Sequence, residues 1–574
     1  MSLPLLATIV LAFLGAGYLV YSRMVVREFA LDPNRTTPAH AMEDGVDYVP
    51  TPMVYLLPQH LSAIAAAGPI AGPIIACQMF GWAPCILWIA LGSVFIGAVH
   101  DFSSLAASVR HEARSVAEIV RAQLGPGAWI ALMIFIWLAL MYVIVAFTDI
   151  TASTFLGQTE ELAGGTFSFN PGGAVAAAAT MYLTLAIVMG VVVKRFEPPL
   201  WLTTIVFVPA TLFVVWLGTR VSTAFVIDVA SPQKVWGILI LAYCFVASLL
   251  PMWLLLQPRG YLGGFVLYLT LAAGLLGVFF GNLRFPGEFE IHQPAFKTFD
   301  AGGAFGALFP FLFVTIACGA CSGFHGLVCS GTTSKQIERE PDTRPVGYGA
   351  MLMEAFVALI AMSTILIVAE SDKMPGPGRI FGDGIGKSLT VLIGRDNVVF
   401  AMTFGAMAFS TFVFDTLDVS TRLARYIVQE LVGARARIGG MVATAVSLLP
   451  PAIVLLGART PGPGERPTYM DFWTLFGTSN QLLAALTLLG ISVWLHRSGK
   501  RIVYTAVPMV FVMIVTLSAL FVQAKFAFAS AANGGASATV VMNGVVAVAL
   551  MLLASYLIVL GARALAGAPR SAER

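Results

Sequence analysis

The sequence predicts an all-α polytopic membrane protein of about 15 transmembrane helices. Three observations predict it. Of 574 residues, 58% are hydrophobic and 11% charged, against about 25% charged in a soluble domain; the mean hydropathy is +0.86. Apolar runs of roughly 20 residues, enough to cross ~30 Å of hydrocarbon, recur along the chain. Lys and Arg alternate between connections: with the N-terminus outside, 22 of 33 fall on the inner side, as the positive-inside rule requires.

The first run, 3–21, has no basic leader and ends in Tyr21-Ser22-Arg23. That is a poor cleavage context, so the run reads as a retained helix. Further spans start near residues 53, 80, 128, 174, 200, 235, 260, 305, 347, 397, 438, 473, 502 and 539. An odd count puts the C-terminus inside. Arg259 counts among the inner-side charges. Cys77, Cys85, Cys244, Cys318, Cys321 and Cys329 all lie in or beside apolar segments, so no secreted disulfide framework is expected. The net charge of +3 points to no nucleic-acid partner.

The longer connections, 149–173, 282–304 and 370–396, fall outside and are too short for a catalytic domain. The chain therefore reads as a non-enzyme. A metabolite-sensing receptor or signalling subunit is the rival class, and its expected soluble domain is missing. GDGIGKS at 382–388 resembles a phosphate loop, but Phe381 stands where the first glycine belongs. No strand precedes it, so nucleotide hydrolysis is not expected.

Residues 65–75 read AAAGPIAGPII. Gly68-Pro69 and Gly72-Pro73 weaken a helix in mid-membrane, by lost donors and by backbone freedom. The stretch reads as a kink or as an unwound segment, which lipid tolerates only where protein or a cavity satisfies the backbone. Pro251, with Ser248 just before it, interrupts the seventh run at a matching depth: 16 residues separate Pro52 from Gly68, and Val235 from Pro251. The two runs have opposite orientation. The pattern predicts an inverted repeat, 53–219 and 235–420, with discontinuous second and seventh helices. Residues 1–52 precede it and 438–574 add further helices. Half-helices starting near Pro73 and Pro251 would present free N–H groups that favour a carboxylate.

The ninth run, 316–336, carries Ser322, His325, Ser330, Thr332 and Thr333 among small residues. These fit tight helix packing or a polar substrate path. Cys318, Cys321, His325 and Cys329 are spaced for one helical face, which makes a metal-binding membrane protein a further alternative. A single helix rarely completes such a site, and no metal is assigned. Ionisable residues at membrane depth tend to be functional. His100, Asp101, Glu354 and Asp415 are the candidates for carrying a coupling proton, while Asp101 fits equally a pair with a basic residue at the inner face and Glu354 fits better snorkelling or a pair with a loop Arg. His60, after Gln59 and two turns before the Gly-Pro break, is placed to face substrate. Asp418 and Arg422 are spaced as an i,i+4 structural pair.

PAHAMEDGVDYVPT (38–51), QHLSAIAAAGPIAGPIIA (59–76), GAVHDF (97–102), LLPMWLLLQPRGYL (249–262), ACGACSGFHGLVCSGTTSKQ (317–336), RPVGYGAMLMEA (344–355), TLDVSTRLARYIVQE (416–430) and WTLFGTSNQLLAALTLL (473–489) resemble the carbon starvation protein A family. The resemblance runs in order from about residue 38 to 497. It implies a multi-pass bacterial inner-membrane transporter of the amino acid–polyamine–organocation superfamily. A LeuT-like 5+5 repeat and uptake of peptides or pyruvate with protons come with it. The implied partners are a small-molecule substrate and the lipid bilayer, with no cofactor beyond co-transported H+; Na+ is the alternative ion. The resemblance carries over onto Gln59 to Pro73, His100-Asp101, Pro251 to Tyr261, Ser322 to Thr333 and Asn480-Gln481. Gly260 stands where the family usually has Asp, and Cys321 where it has a small non-thiol residue. Oligomeric state is not legible.

Overall fold

The computed structural model describes residues 2–567, except 46, 66, 163–166, 303–304, 371–374, 434–435 and 459–466. Arg435, Arg570 and Arg574, counted toward the inner side, lie outside the described residues. Among the described residues, 13 helices are long and apolar enough to cross a membrane. The count is 14 when Met53–Ile64 and Gly68–Phe80, bent by 46°, form one span. The expected span from about 305 does not pass as one helix. It consists of Leu308–Thr315 and Gly323–Gly331, with 316–322 non-helical between them. One antiparallel hairpin, Glu160–Leu162 with Phe167–Phe169, departs from the all-α expectation. GDGIGKS lies within the helix Pro377–Ile393 and forms no loop.

Helix starts follow their sequence signals. Pro171, Pro232 and Pro377 open helices, where their missing N–H costs nothing. Asn170 Oδ1 accepts from Gly173 N at 2.8 Å, which caps Pro171–Phe196. A 29-residue helix such as Pro126–Thr154 is ~43 Å long, more than the ~30 Å of hydrocarbon. Such a helix either tilts or extends beyond the apolar layer.

The chain divides into two compact units. One comprises Met1–Ala7, Leu140–Pro294 and Ile360–Phe472; the other comprises Thr8–Ala139, Ala295–Leu359 and Trp473–Arg574. Neither coincides with 53–219 or 235–420: each unit takes part of both. In the first unit, Tyr182, Met189, Phe207, Val214 and Leu262 form an apolar cluster. In the second, Leu56, Leu105, Val109, Cys329, Ile337 and Val346 pack together.

The seventh helix is not discontinuous. Pro232–Leu249 ends, Leu250 is extended, and exposed Pro251 lies in the turn before Leu256–Arg284. The carbonyls left free at this helix end are taken by guanidinium groups. Arg422 Nη2 donates to Ala247 O (3.0 Å) and Leu250 O (2.9 Å), and Arg425 Nη1 donates to Ser248 O (2.6 Å). The site expected to offer free N–H groups is thus a helix C-terminus, whose partial charge suits cations. Arg422 is engaged with these carbonyls and not hydrogen-bonded to Asp418. Asp418 instead joins Arg259.

Candidate functional site

Two broken spans meet inside the second unit. Gly68 opens the helix Gly68–Phe80 with Pro69 in its first turn; Pro73 lies inside that helix, not at its start. A Cβ at Gly68 would overlap Cys318 Sγ, and one at Gly72 would lie 2.5 Å from Thr315 O. At Gly72 the obstacle is the backbone of the other break and at Gly68 it is the Cys318 side chain, so glycine fits where a side chain would collide.

The break at 316–322 is buried, so its polar backbone needs partners. Gln481 Nε2 donates to Phe313 O at 2.9 Å, Trp473 Nε1 to Thr315 O at 3.2 Å and Trp88 Nε1 to Ile316 O at 3.1 Å. Asn480 Oδ1 accepts from Phe324 N at 2.9 Å and from Ser322 Oγ at 3.3 Å, so it caps Gly323–Gly331 from another helix. Its Nδ2 lies 3.0 Å from Ser322 Oγ and 3.3 Å from Cys318 Sγ. Cys318 and Cys321 fall in the non-helical stretch. They share no helical face with His325 and Cys329, because the helix begins only at Gly323. Among the described residues no group of three or more His, Cys, Asp or Glu could hold a metal ion.

Below the break, four ionisable side chains converge, all 0–1% exposed. His325 Nδ1 lies 2.8 Å from Asp101 Oδ2. His325 Nε2 lies 3.1 Å from Glu354 Oε2, without hydrogen-bond alignment. Asp101 Oδ1 lies 2.7 Å from His100 Nδ1. Both nitrogens of His325 therefore face carboxylates, an arrangement that supplies two donors only when the ring is an imidazolium. Sequence reasoning named all four residues but placed His325 with substrate and the others with the proton. The structure brings them into one cluster.

The remaining candidates separate. His60 is buried, its Nδ1 2.8 Å from Thr333 Oγ1 and its Nε2 3.9 Å from Cys329 Sγ. Gln59 and Thr332 are exposed. Ser330 Oγ accepts from Val116 N at 3.1 Å and donates to Gly326 O at 2.7 Å, so it fastens two helices together. Ser248 and Asp415 belong to the other unit. Ser248 Oγ donates to Phe245 O at 3.0 Å. Asp415 accepts from Arg259 Nε at 2.6 Å, and Asp418 accepts from Arg259 Nη1 and from Tyr243 OH, the latter at 2.8 Å. Arg259 is fully buried within Leu256–Arg284 and is not a free inner-face charge. It was not singled out as a site residue, although it lies in the Pro251–Tyr261 stretch that the family resemblance covers. The indoles of Trp88 and Trp473 gave no signal, since a tryptophan in a span looks like any packing residue.

The model of the family described as carbon starvation protein CstA matches residues 2–375 and 368–519. The chain belongs to the CstA family. The Bacillus subtilis peptide transporter CstA is 30% identical, over 96% of this chain and 96% of that protein. The Campylobacter jejuni peptide transporter CstA is 33% identical, over 87% and 77%. The Escherichia coli pyruvate/proton symporter BtsT is 29% identical, over 88% and 79%. Among solved structures, an Eremococcus coleocola manganese transporter aligns with a TM-score of 0.46 at 12% identity, over 91% of this chain and 99% of that one. This CstA-family chain is a multi-pass membrane protein, mostly helical, with its cluster of buried acids and histidines beside a broken span.

Proposed function

We propose that this chain is a secondary active transporter that couples proton entry to uptake of a peptide or a small carboxylate such as pyruvate. The observation that carries the reading is His325 held between Asp101 and Glu354, buried next to the break at 316–322. With both acids ionised and the ring protonated, the trio carries one net negative charge. One more proton makes it neutral. Ionisable groups at membrane depth are expensive and mark proton or substrate paths, and this trio can take up one proton and move from one net negative charge to neutral. The names of the relatives point the same way, because pyruvate and peptides both present a carboxylate.

Substrate contact is assigned to the paired breaks: Gly68, Pro69, Gly72 and Ser322, where two half-helices begin at Gly68 and Gly323. Helix N-termini favour an anionic group. On this reading 308–331 is a fifteenth, broken crossing. It replaces the seventh span as the oppositely oriented broken partner of the second. The charge alternation supports an outer N-terminus and inner C-terminus in the inner membrane of a bacterium.

Proteoliposomes with labelled pyruvate or a labelled dipeptide test the reading. Accumulation is expected under an inward proton gradient. Glu354→Gln and Asp101→Asn should abolish accumulation while leaving substrate counterflow. Accumulation under a sodium gradient alone would reassign the ion, and none under either gradient would overturn transport.

A further inference from the structure

His100 is only half accounted for by the cluster. Its Nδ1 faces Asp101, but its Nε2 is fully buried with no hydrogen-bond partner. One turn along Ala98–Arg110, Ser104 Oγ is likewise buried and unpartnered. A buried polar atom left unpaired costs ~1–3 kcal/mol, so two on one face call for an explanation. Both border the same small space. A methyl at Gly326 would stand 3.2 Å from His100 Nε2 and 3.6 Å from Ser104 Oγ.

The line continues. His100, Ser104 and Ser108 are four residues apart and share a helix face. The facing segment offers Gly326, Ser330 and Ser334 at the same spacing. Ser108 Oγ donates to Ser334 Oγ at 2.9 Å and lies 2.8 Å from Arg114 O. Arg114 and Glu112 are exposed in the turn after the helix. From His100 to Ser108 is a rise of ~12 Å. Buried polar side chains at one-turn spacing thus point from the acid–histidine cluster toward an exposed turn, with His100 Nε2 and Ser104 Oγ unbonded between them. The charge alternation puts that turn on the inner side.

We propose that His100, Ser104 and Ser108 form the inward exit path of the proton. The inference rests on the proposed function and names the route it needs. His100 accepts the proton at Nδ1 from the Asp101 side and releases one at Nε2. Through a bridging water beside Gly326, Ser104 takes that proton on its hydroxyl oxygen and releases its own toward Ser108, whose hydroxyl passes one to water at the exposed turn, so each group ends with its starting charge. Return of the imidazole to its starting tautomer resets the chain. Gly326 keeps the space between ring and hydroxyl open.

The test is Ser104→Ala in proteoliposomes. A buried hydroxyl with no partner carries an uncompensated desolvation cost, so Ser104→Ala should fold about as well as the unsubstituted protein. Proton-driven accumulation should slow tenfold or more, and substrate counterflow should stay unchanged. Ser104→Thr, which keeps the hydroxyl, should restore the rate. Gly326→Ala should slow it as Ser104→Ala does. Unchanged proton-driven uptake in Ser104→Ala would overturn the path. If the unsubstituted protein itself accumulates nothing under a proton gradient, the proposed function fails instead.

Discussion

Gly72→Ala probes the contact between the two breaks. The added methyl would lie 2.5 Å from Thr315 O and 3.4 Å from Ile316 Cα. An ordinary carbon–oxygen contact is nearly 1 Å longer, and the obstacle is backbone, not a mobile side-chain end. The 316–322 segment must retreat. Thr315 O also accepts from the Trp473 indole at 3.2 Å, so retreat stretches that bond. Overpacking a tight interior costs ~1–3 kcal/mol and a weakened hydrogen bond ~1 kcal/mol. The expected loss is ~2–4 kcal/mol, seen as a drop of roughly 2–3 °C in the thermal midpoint for a chain of this length. Transport should fall further, because the retreat displaces the proposed substrate contacts. Gly260→Ala is the control: nothing lies within 4 Å of its added methyl, and alanine favours helix. A Gly72→Ala protein with unaltered midpoint and uptake would refute the packing of one break against the other.

Asn480→Ala removes the acceptor of Phe324 N and the partner of Ser322, and should cost ~1–3 kcal/mol by thermal unfolding. Arg259→Met leaves Asp415 and Asp418 without their shared counter-charge and should destabilise by ~3–5 kcal/mol. Adding Asp415→Asn and Asp418→Asn should recover most of that, and no recovery would rule out the ion cluster. Arg422→Gln frees Ala247 O and Leu250 O; hydrogen exchange should quicken across 244–256, with a stability loss of ~2 kcal/mol.

The polytopic architecture was legible because hydropathy and Lys/Arg placement are local properties, read run by run. The break near Gly68 was legible for the same reason: glycine and proline change the backbone where they stand. The break in the ninth span was not. Residues 316–322 contain no proline, and the helix ends there because Trp88, Trp473, Asn480 and Gln481, distant in sequence, satisfy backbone groups at Ile316 and at the two flanking helix ends. Pro251 misled for the converse reason. A proline marks the end of a helix as readily as a break within one, and only the Arg422 and Arg425 bonds to 247–250 decide which.

The sequence alone determined that the chain lives in a bilayer and that it resembles one transporter family, and it marked His100, Asp101 and Glu354 as candidates for the proton and His325 as a candidate for the substrate path. It could not determine that these four meet. Asp101 and His325 are 224 residues apart, and no periodicity relates positions on different helices. Tertiary packing brought them within hydrogen-bond reach while setting Asp415 against Arg259 in the other unit. The physical reason is that burial makes each charge need a partner, and which partner is available is settled by which helices pack together.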